Sequence, residues 1–109
     1  MARRVVWTKQ AQADLGFIAD YISRDSPRYA AVLVRGVRDA ARSLQNFSER
    51  GRIVPEFDDA RLRELIIQSY RLMYLVAPET VSIIAFVHGA RDLKTLWKRG
   101  LRARVEDIT

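Results

Sequence analysis

Glu56, Arg71 and His88 are the side chains of this sequence whose types and settings could do acid–base chemistry. Glu56 follows Pro55 in a stretch without apolar periodicity. Arg71 sits in the run Tyr70-Arg71-Leu72-Met73-Tyr74. His88 closes an apolar run just before Gly89-Ala90-Arg91-Asp92. Cleavage of RNA through its 2′-hydroxyl needs a base, an acid and a cation for the phosphorane-like charge, and Glu, His and Arg can fill those roles without a metal. Each residue also has a plainer reading. Glu56 reads most simply as a solvated loop acid. Arg71 could pair with an acid such as Glu64 on a neighbouring strand. His88 could hydrogen-bond the loop that follows it. Tyr70 and Tyr74 read as core and sheet packing more readily than as a base-stacking platform.

The elements that must position these residues follow from periodicity. Arg3 to Trp7 is β-branched and aromatic and predicts a short strand. Thr8 offers an N-cap, and Ala11, Leu15, Ile18 and Ile22 form the stripe of a helix. Ser26-Pro27 restarts the pattern with a capping serine and proline at the first helical position. Ala30, Val34, Val37, Ala41 and Leu44 make the second stripe, so the two helices should form an antiparallel hairpin. From Ser48 to Arg61 the periodicity vanishes, which predicts a long loop. Three strands follow, over Leu62–Ile67, Tyr70–Val76 and Val81–His88. In the second, Tyr70, Leu72, Tyr74 and Val76 share one face and Arg71, Met73 and Leu75 the other, as in a central strand. The order β-α-α-β-β-β predicts an α+β fold, a helical hairpin packed on an antiparallel sheet.

The chain has 109 residues, 49% of them hydrophobic, which suits one domain with one real core. No repeat, linker or low-complexity tract divides it, so residues 1–109 read as a single domain. The formal net charge is +6, mostly arginine, which favours phosphate, carboxylate or acidic partners. There are no cysteines and one histidine, His88. That argues against disulfides, thiolate zinc sites, thiol catalysis and a histidine-rich metal centre; neither metal nor cofactor is expected. No apolar run is long enough for a signal peptide or a bilayer span, so a cytoplasmic protein without membrane association is expected. From about residue 91 the chain becomes a basic tail. Between Arg91 and Arg104, the six basic residues Arg91, Lys94, Lys98, Arg99, Arg102 and Arg104 stand against one acid, Asp92, while Leu93, Leu96, Trp97 and Leu101 could line one side of a short helix.

Five segments together resemble the RelE/ParE toxin superfamily. They are Trp7-Thr8-Lys9-Gln10-Ala11-Gln12-Ala13-Asp14-Leu15, Gly51-Arg52-Ile53-Val54-Pro55-Glu56, Arg63-Glu64-Leu65-Ile66, Tyr70-Arg71-Leu72-Met73-Tyr74 and Val87-His88-Gly89-Ala90-Arg91-Asp92-Leu93. They run in family order from the first strand to the start of the tail, so most of the chain is covered. The resemblance implies the toxin of a type II toxin–antitoxin system, of the kind that arrests growth and stabilises plasmids. It implies a cognate antitoxin that neutralises it, and contact with operator DNA only through that antitoxin.

Two activities occur on this fold, so the fold does not choose between them. ParE-like members bind DNA gyrase; RelE-like members cut mRNA on the ribosome. The ending His88-Gly89-Ala90-Arg91-Asp92 with a basic extension resembles the ParE-like branch. The lysine-rich mid-chain cluster of RelE is missing, and Glu49, Arg50, Arg52, Glu56, Asp58 and Asp59 stand there instead. On the ParE-like reading the chain is not an enzyme, and the target-binding residues are Arg91, Trp97, Lys98, Arg99 and Arg102, with Trp97 as apolar anchor. On the RelE-like reading Glu56, Arg71 and His88 are catalytic in a metal-independent endoribonuclease. A non-toxic nucleic-acid-binding module is the third reading; it predicts basic residues over one continuous face. The antitoxin is expected to cover the apolar residues of the sheet and the basic surface with an apolar helix and acidic side chains.

Overall fold

Thr8 and Ser26 start the two long helices by the same device. The Thr8 hydroxyl accepts the Ala11 amide and the Ser26 hydroxyl accepts that of Tyr29, both at 3.1 Å, so each satisfies one donor of an open first turn. The computed structural model describes residues 2–108. Its elements are β1 (Arg4–Trp7), α1 (Lys9–Ser23), α2 (Pro27–Ser43), β2 (Arg52–Ile53), β3 (Leu62–Ile67), β4 (Tyr70–Val76) and β5 (Thr80–His88). After these come α3 (Leu93–Leu96), a wide turn over Trp97–Leu101 and α4 (Arg102–Ile108).

The strands form one sheet in the order β1-β5-β4-β3-β2. β2 to β5 are antiparallel in succession, whereas β1 lies parallel to β5, with Val5 opposite Val81. The expectation of an antiparallel sheet holds for every pair but this one. β1 reaches the sheet through two helices, so no tight hairpin forces it to run against its neighbour.

β4 is the central strand, and its alternation divides the core in two. Leu72 and Tyr74 join Leu65, Ile83 and Phe86 beneath the hairpin, where Ala11, Leu15, Leu33, Val37, Ala41 and Leu44 are buried. The second stripe is thus carried by Leu33, while Val34 and Ile18 are only half-buried. Met73 and Leu75 face the other way, into a second cluster with Val54, Leu62, Ile84, Leu93, Leu101 and Val105. The tail therefore covers much of the second face of the sheet, while Ile66 of β3 stays 55% exposed. Fully burying one such side chain stabilises by about 1.5–3 kcal/mol.

The segment Ser48–Arg61 is more ordered than its lack of periodicity suggests. β2 pairs Arg52 with Glu64 and Ile53 with Arg63; two residues are too short to show alternation. Tyr74 ties this loop down from below. Its hydroxyl donates to the Ser48 carbonyl at 2.9 Å and accepts the Gly51 amide at 2.8 Å. A Cβ on Gly51 would lie 2.5 Å from both the Glu64 carbonyl oxygen and the Tyr74 hydroxyl, so only glycine fits.

Candidate functional site

The loop and the central strand meet in a network of four charges. Arg71 projects from β4 on the tail side of the sheet, beside Glu64 of β3. Its Nε donates to Glu64 Oε1 at 2.6 Å, and its Nη1 and Nη2 donate to Glu56 Oε2 and Oε1 at 2.9 and 2.8 Å. Arg52 Nε donates to the second oxygen of Glu64 at 2.7 Å. The Glu64 side chain is wholly buried and that of Arg71 nearly so. Two arginines thus neutralise two glutamates, as buried charge requires. The expected pairing of Arg71 with Glu64 is present, and Glu56 is a partner of Arg71 rather than a solvated loop acid.

These contacts set the protonation of the group. The bidentate bond to Arg71 holds the Glu56 carboxyl below its ordinary range, against an opposing effect of burial. Glu56, followed by burial and Glu64, acts on Arg71, and the balance holds its guanidinium charged above the usual arginine range. A general base works best near the pH of operation with a free lone pair. Glu56 is moved the other way, and both its oxygens are engaged.

His88 stands apart from this pair. It lies opposite Tyr70 at the end of β5, on the hairpin side of the sheet, with its ring edge-on to Tyr70 at 5.5 Å. Its Nδ1 accepts the Ala90 amide at 3.1 Å, the loop contact expected from its position. The ring is exposed and borders a groove of about 460 Å³ whose lining includes Phe17, Tyr21, Tyr70 and Arg91. Phe17 and Tyr21 are 77% and 66% exposed, the most open aromatic surface near any of the candidate residues. The sheet itself thus separates His88 from Glu56 and Arg71. Among the described residues, no group of three or more His, Cys, Asp or Glu side chains could hold a metal ion. Nor is any of their helices long and apolar enough to cross a membrane.

The tail residues are divided between core and surface. Asp92 caps α3, accepting the Lys94 and Thr95 amides, and Leu93 is buried behind it. Trp97 is half-buried, with its ring 4.7 Å from Phe57 of the loop, while Arg91, Lys98, Arg99 and Arg102 are exposed. Gly100, at φ +148°, takes a backbone form that side chains disfavour and turns the chain into α4. Arg102 pairs with Glu106 in solvent. Arg104 does something periodicity does not reveal. β5 runs on past the last β1 partner, Ile83, which leaves an open edge. Asp14 of α1 accepts the Phe86 amide there at 3.1 Å, and Arg104 donates to the Ile84 carbonyl at 3.1 Å. The two side chains also pair with each other at 2.7 Å, closing the edge as a strand would.

The sequence model of the ParE toxin of the type II toxin–antitoxin system parDE matches residues 5–93. A curated relative, Toxin RelE2 of Caulobacter vibrioides, is 42% identical over 89 residues, 81% of this chain and 97% of that protein. Two solved structures are similar in fold. One is from the chromosomal ParDE toxin–antitoxin system of P. aeruginosa, with a TM-score of 0.66 at 22% identity, covering 80% of this chain and 96% of that one. The other is from the toxin–antitoxin complex RelBE2 of Mycobacterium tuberculosis, with a TM-score of 0.56 at 24% identity, covering 81% and 99%.

Proposed function

This chain belongs to the ParE toxin family of type II toxin–antitoxin systems, and we propose that it arrests growth by binding DNA gyrase rather than by cutting RNA. The observation that carries this reading is the separation of His88 from the Glu56–Arg71 pair across the sheet. A nuclease using the three together needs them around one phosphate, with a base free to take a proton. Here the carboxylate and guanidinium neutralise each other, and their evident work is to fasten the loop over the second core. What remains for action is surface: Arg91, Lys98, Arg99 and Arg102, with the exposed part of Trp97. Aromatic and arginine side chains dominate protein contacts of this kind.

A cognate antitoxin holds the toxin inactive. Its apolar helix seats in the groove of Phe17, Tyr21 and Tyr70, an apolar surface that hairpin and tail leave open. Its acidic side chains meet the +6 charge. The name of the relative, Toxin RelE2, favours the ribosome-dependent alternative. Induction in cells tests the choice. The gyrase reading expects a DNA-damage response before protein synthesis falls; the alternative expects translation to stop first, without damage.

A further inference from the structure

β1 leaves one long side of the sheet open, and that side is lined with arginine. Arg4 and Thr8 donate their amides to the carbonyls of Glu79, just before β5, and of Ile83 within it. Because a strand alternates, the peptide groups of Val5 and Trp7 turn the other way, outward from the sheet. At residue 3 the outward side is already occupied: the Arg3 amide donates to the Gln45 carbonyl at 2.8 Å. Past that point the edge opens into a groove of about 640 Å³ between β1 and α2, lined by Arg3, Arg4, Val5, Trp7, Arg38 and Arg42, with Ala2 and Gln45 at its end.

The charges around this edge come from both faces. Arg38 lies over the Trp7 ring, 5.4 Å from its centre, on the hairpin side. Arg4 and half-exposed Val6 alternate with Val5 and Trp7 and so belong to the other face. Arg42 pairs with Asp39 in an exposed bridge, and such pairs leave the cation available to a partner. Four of the eight residues lining the groove are arginine, and none is acidic.

We propose that this edge is a docking site for an extended, acidic segment of the partner polypeptide, which adds to the sheet beside β1 and places its carboxylates among Arg4, Arg38 and Arg42. The inference rests on the antitoxin-bound reading above and locates a second contact, away from the aromatic groove. Open peptide groups favour a peptide over nucleic acid, since a phosphodiester chain has no backbone ladder to offer. The charge argues against a second copy of this chain, because pairing β1 with β1 would bring like arginine clusters together.

The probe is a blocked eight-residue peptide, Glu-Glu-Val-Val-Glu-Glu-Val-Val, which as a strand presents glutamate to both faces, with the matching lysine–valine peptide as control. In the free protein the Val5 and Trp7 amides should exchange with solvent much faster than those of Val6 and Thr8. On adding the acidic peptide, exchange at Val5 and Trp7 should slow and Trp7 fluorescence should change. Binding should weaken roughly three- to tenfold between about 50 and 500 mM salt, and about tenfold or more in the Arg4→Gln/Arg38→Gln/Arg42→Gln variant. The matching lysine variant, which keeps the charge, should bind within about threefold of wild type. The inference is overturned if the acidic peptide fails to bind, binds only at Phe17 and Tyr21, or binds no better than the lysine peptide. It is overturned too if the free protein dimerises through β1, or if an oligouridylate displaces the peptide at lower concentration. Growth arrest without peptide binding removes this inference and leaves the toxin reading standing; peptide binding without growth arrest does the reverse.

Discussion

Arg71 and His88 lie one step out of register across the β4–β5 pair, Arg71 opposite Val87 and His88 opposite Tyr70, so the pleat sends their side chains to opposite faces of the sheet. Bringing both to one phosphate requires the end of β5 to unpair. Slipping the strand by one residue instead would turn Phe86 and Ile84 out of their separate clusters. The family's three-residue likeness is thus a likeness of sequence that the fold distributes over two surfaces.

The Glu56–Arg71 bond should appear in the pH dependence of stability. Glu56 is held below its ordinary value of 4.5 in the folded chain, chiefly by its hydrogen bonds to Arg71. Stability from a depressed carboxylate is complete above the unfolded value and is lost as pH falls through the folded one. Glu56→Gln should therefore cost about 1 kcal/mol at pH 7, a fall in Tm of roughly 4–8 °C. The gap from wild type should close as pH drops below 4.5. Thermal melts at pH 7, 5 and 3 check this; a gap independent of pH would place the effect elsewhere.

Tyr74 should act as the anchor of the loop over residues 48–51. Burial pushes its phenol up, so it stays a neutral donor to Ser48 through the physiological range. Tyr74→Phe leaves the Gly51 amide and Ser48 carbonyl unpaired and should cost about 1–3 kcal/mol. Gly51→Ala should cost at least as much, because its Cβ meets backbone. Denaturant titrations give both values, and loss of protection at the Gly51 amide would locate the Tyr74→Phe effect.

The hairpin core allows a direct comparison. Leu15 and Leu44 are 2% and 0% exposed beneath the helices. Replacing either with alanine should cost roughly 2–5 kcal/mol through lost burial and a cavity. Half-buried Val34 should cost less when changed in the same way, and a larger loss there would contradict the packing described.

The tail cannot be removed as a free appendage. Ending the chain after Leu96 deletes Leu101 and Val105 from the second core and Arg104 from the β5 edge. At about 1.5–3 kcal/mol for each apolar side chain, the loss approaches a small domain's whole stability of about 5–15 kcal/mol. The shortened chain should melt well below the full one. Exposed Lys98, Arg99 and Arg102, changed together to glutamine, should keep Tm within a few degrees and are the cleaner test of target contact.

How much of this was legible depends on whether a feature is periodic. The caps at Thr8 and Ser26, the two stripes and the alternation of β4 are local patterns, and they place the hairpin and central strand nearly residue for residue. β2 has two residues and no pattern, and the parallel pairing of β1 depends on where a crossover returns. The Asp14–Arg104 closure joins residues ninety apart, and no spacing rule reaches that far. At the candidate site, Arg71 with Glu64 followed from strand neighbours. Glu56 came to them through the loop, which sequence patterns leave undetermined.

Paired assays on one preparation separate gyrase binding from RNA cleavage. Purified protein is added to a gyrase supercoiling reaction and to ribosomes carrying mRNA in the A site, beside the Glu56→Gln, His88→Ala and Lys98→Gln/Arg99→Gln/Arg102→Gln variants. The gyrase reading predicts inhibition of the enzyme and intact mRNA. Glu56→Gln and His88→Ala should stay within a few-fold of wild type, and the triple variant should lose most of the inhibition. A-site cleavage by the wild type, falling about 10²–10⁴-fold in Glu56→Gln or His88→Ala with gyrase unaffected, would contradict it.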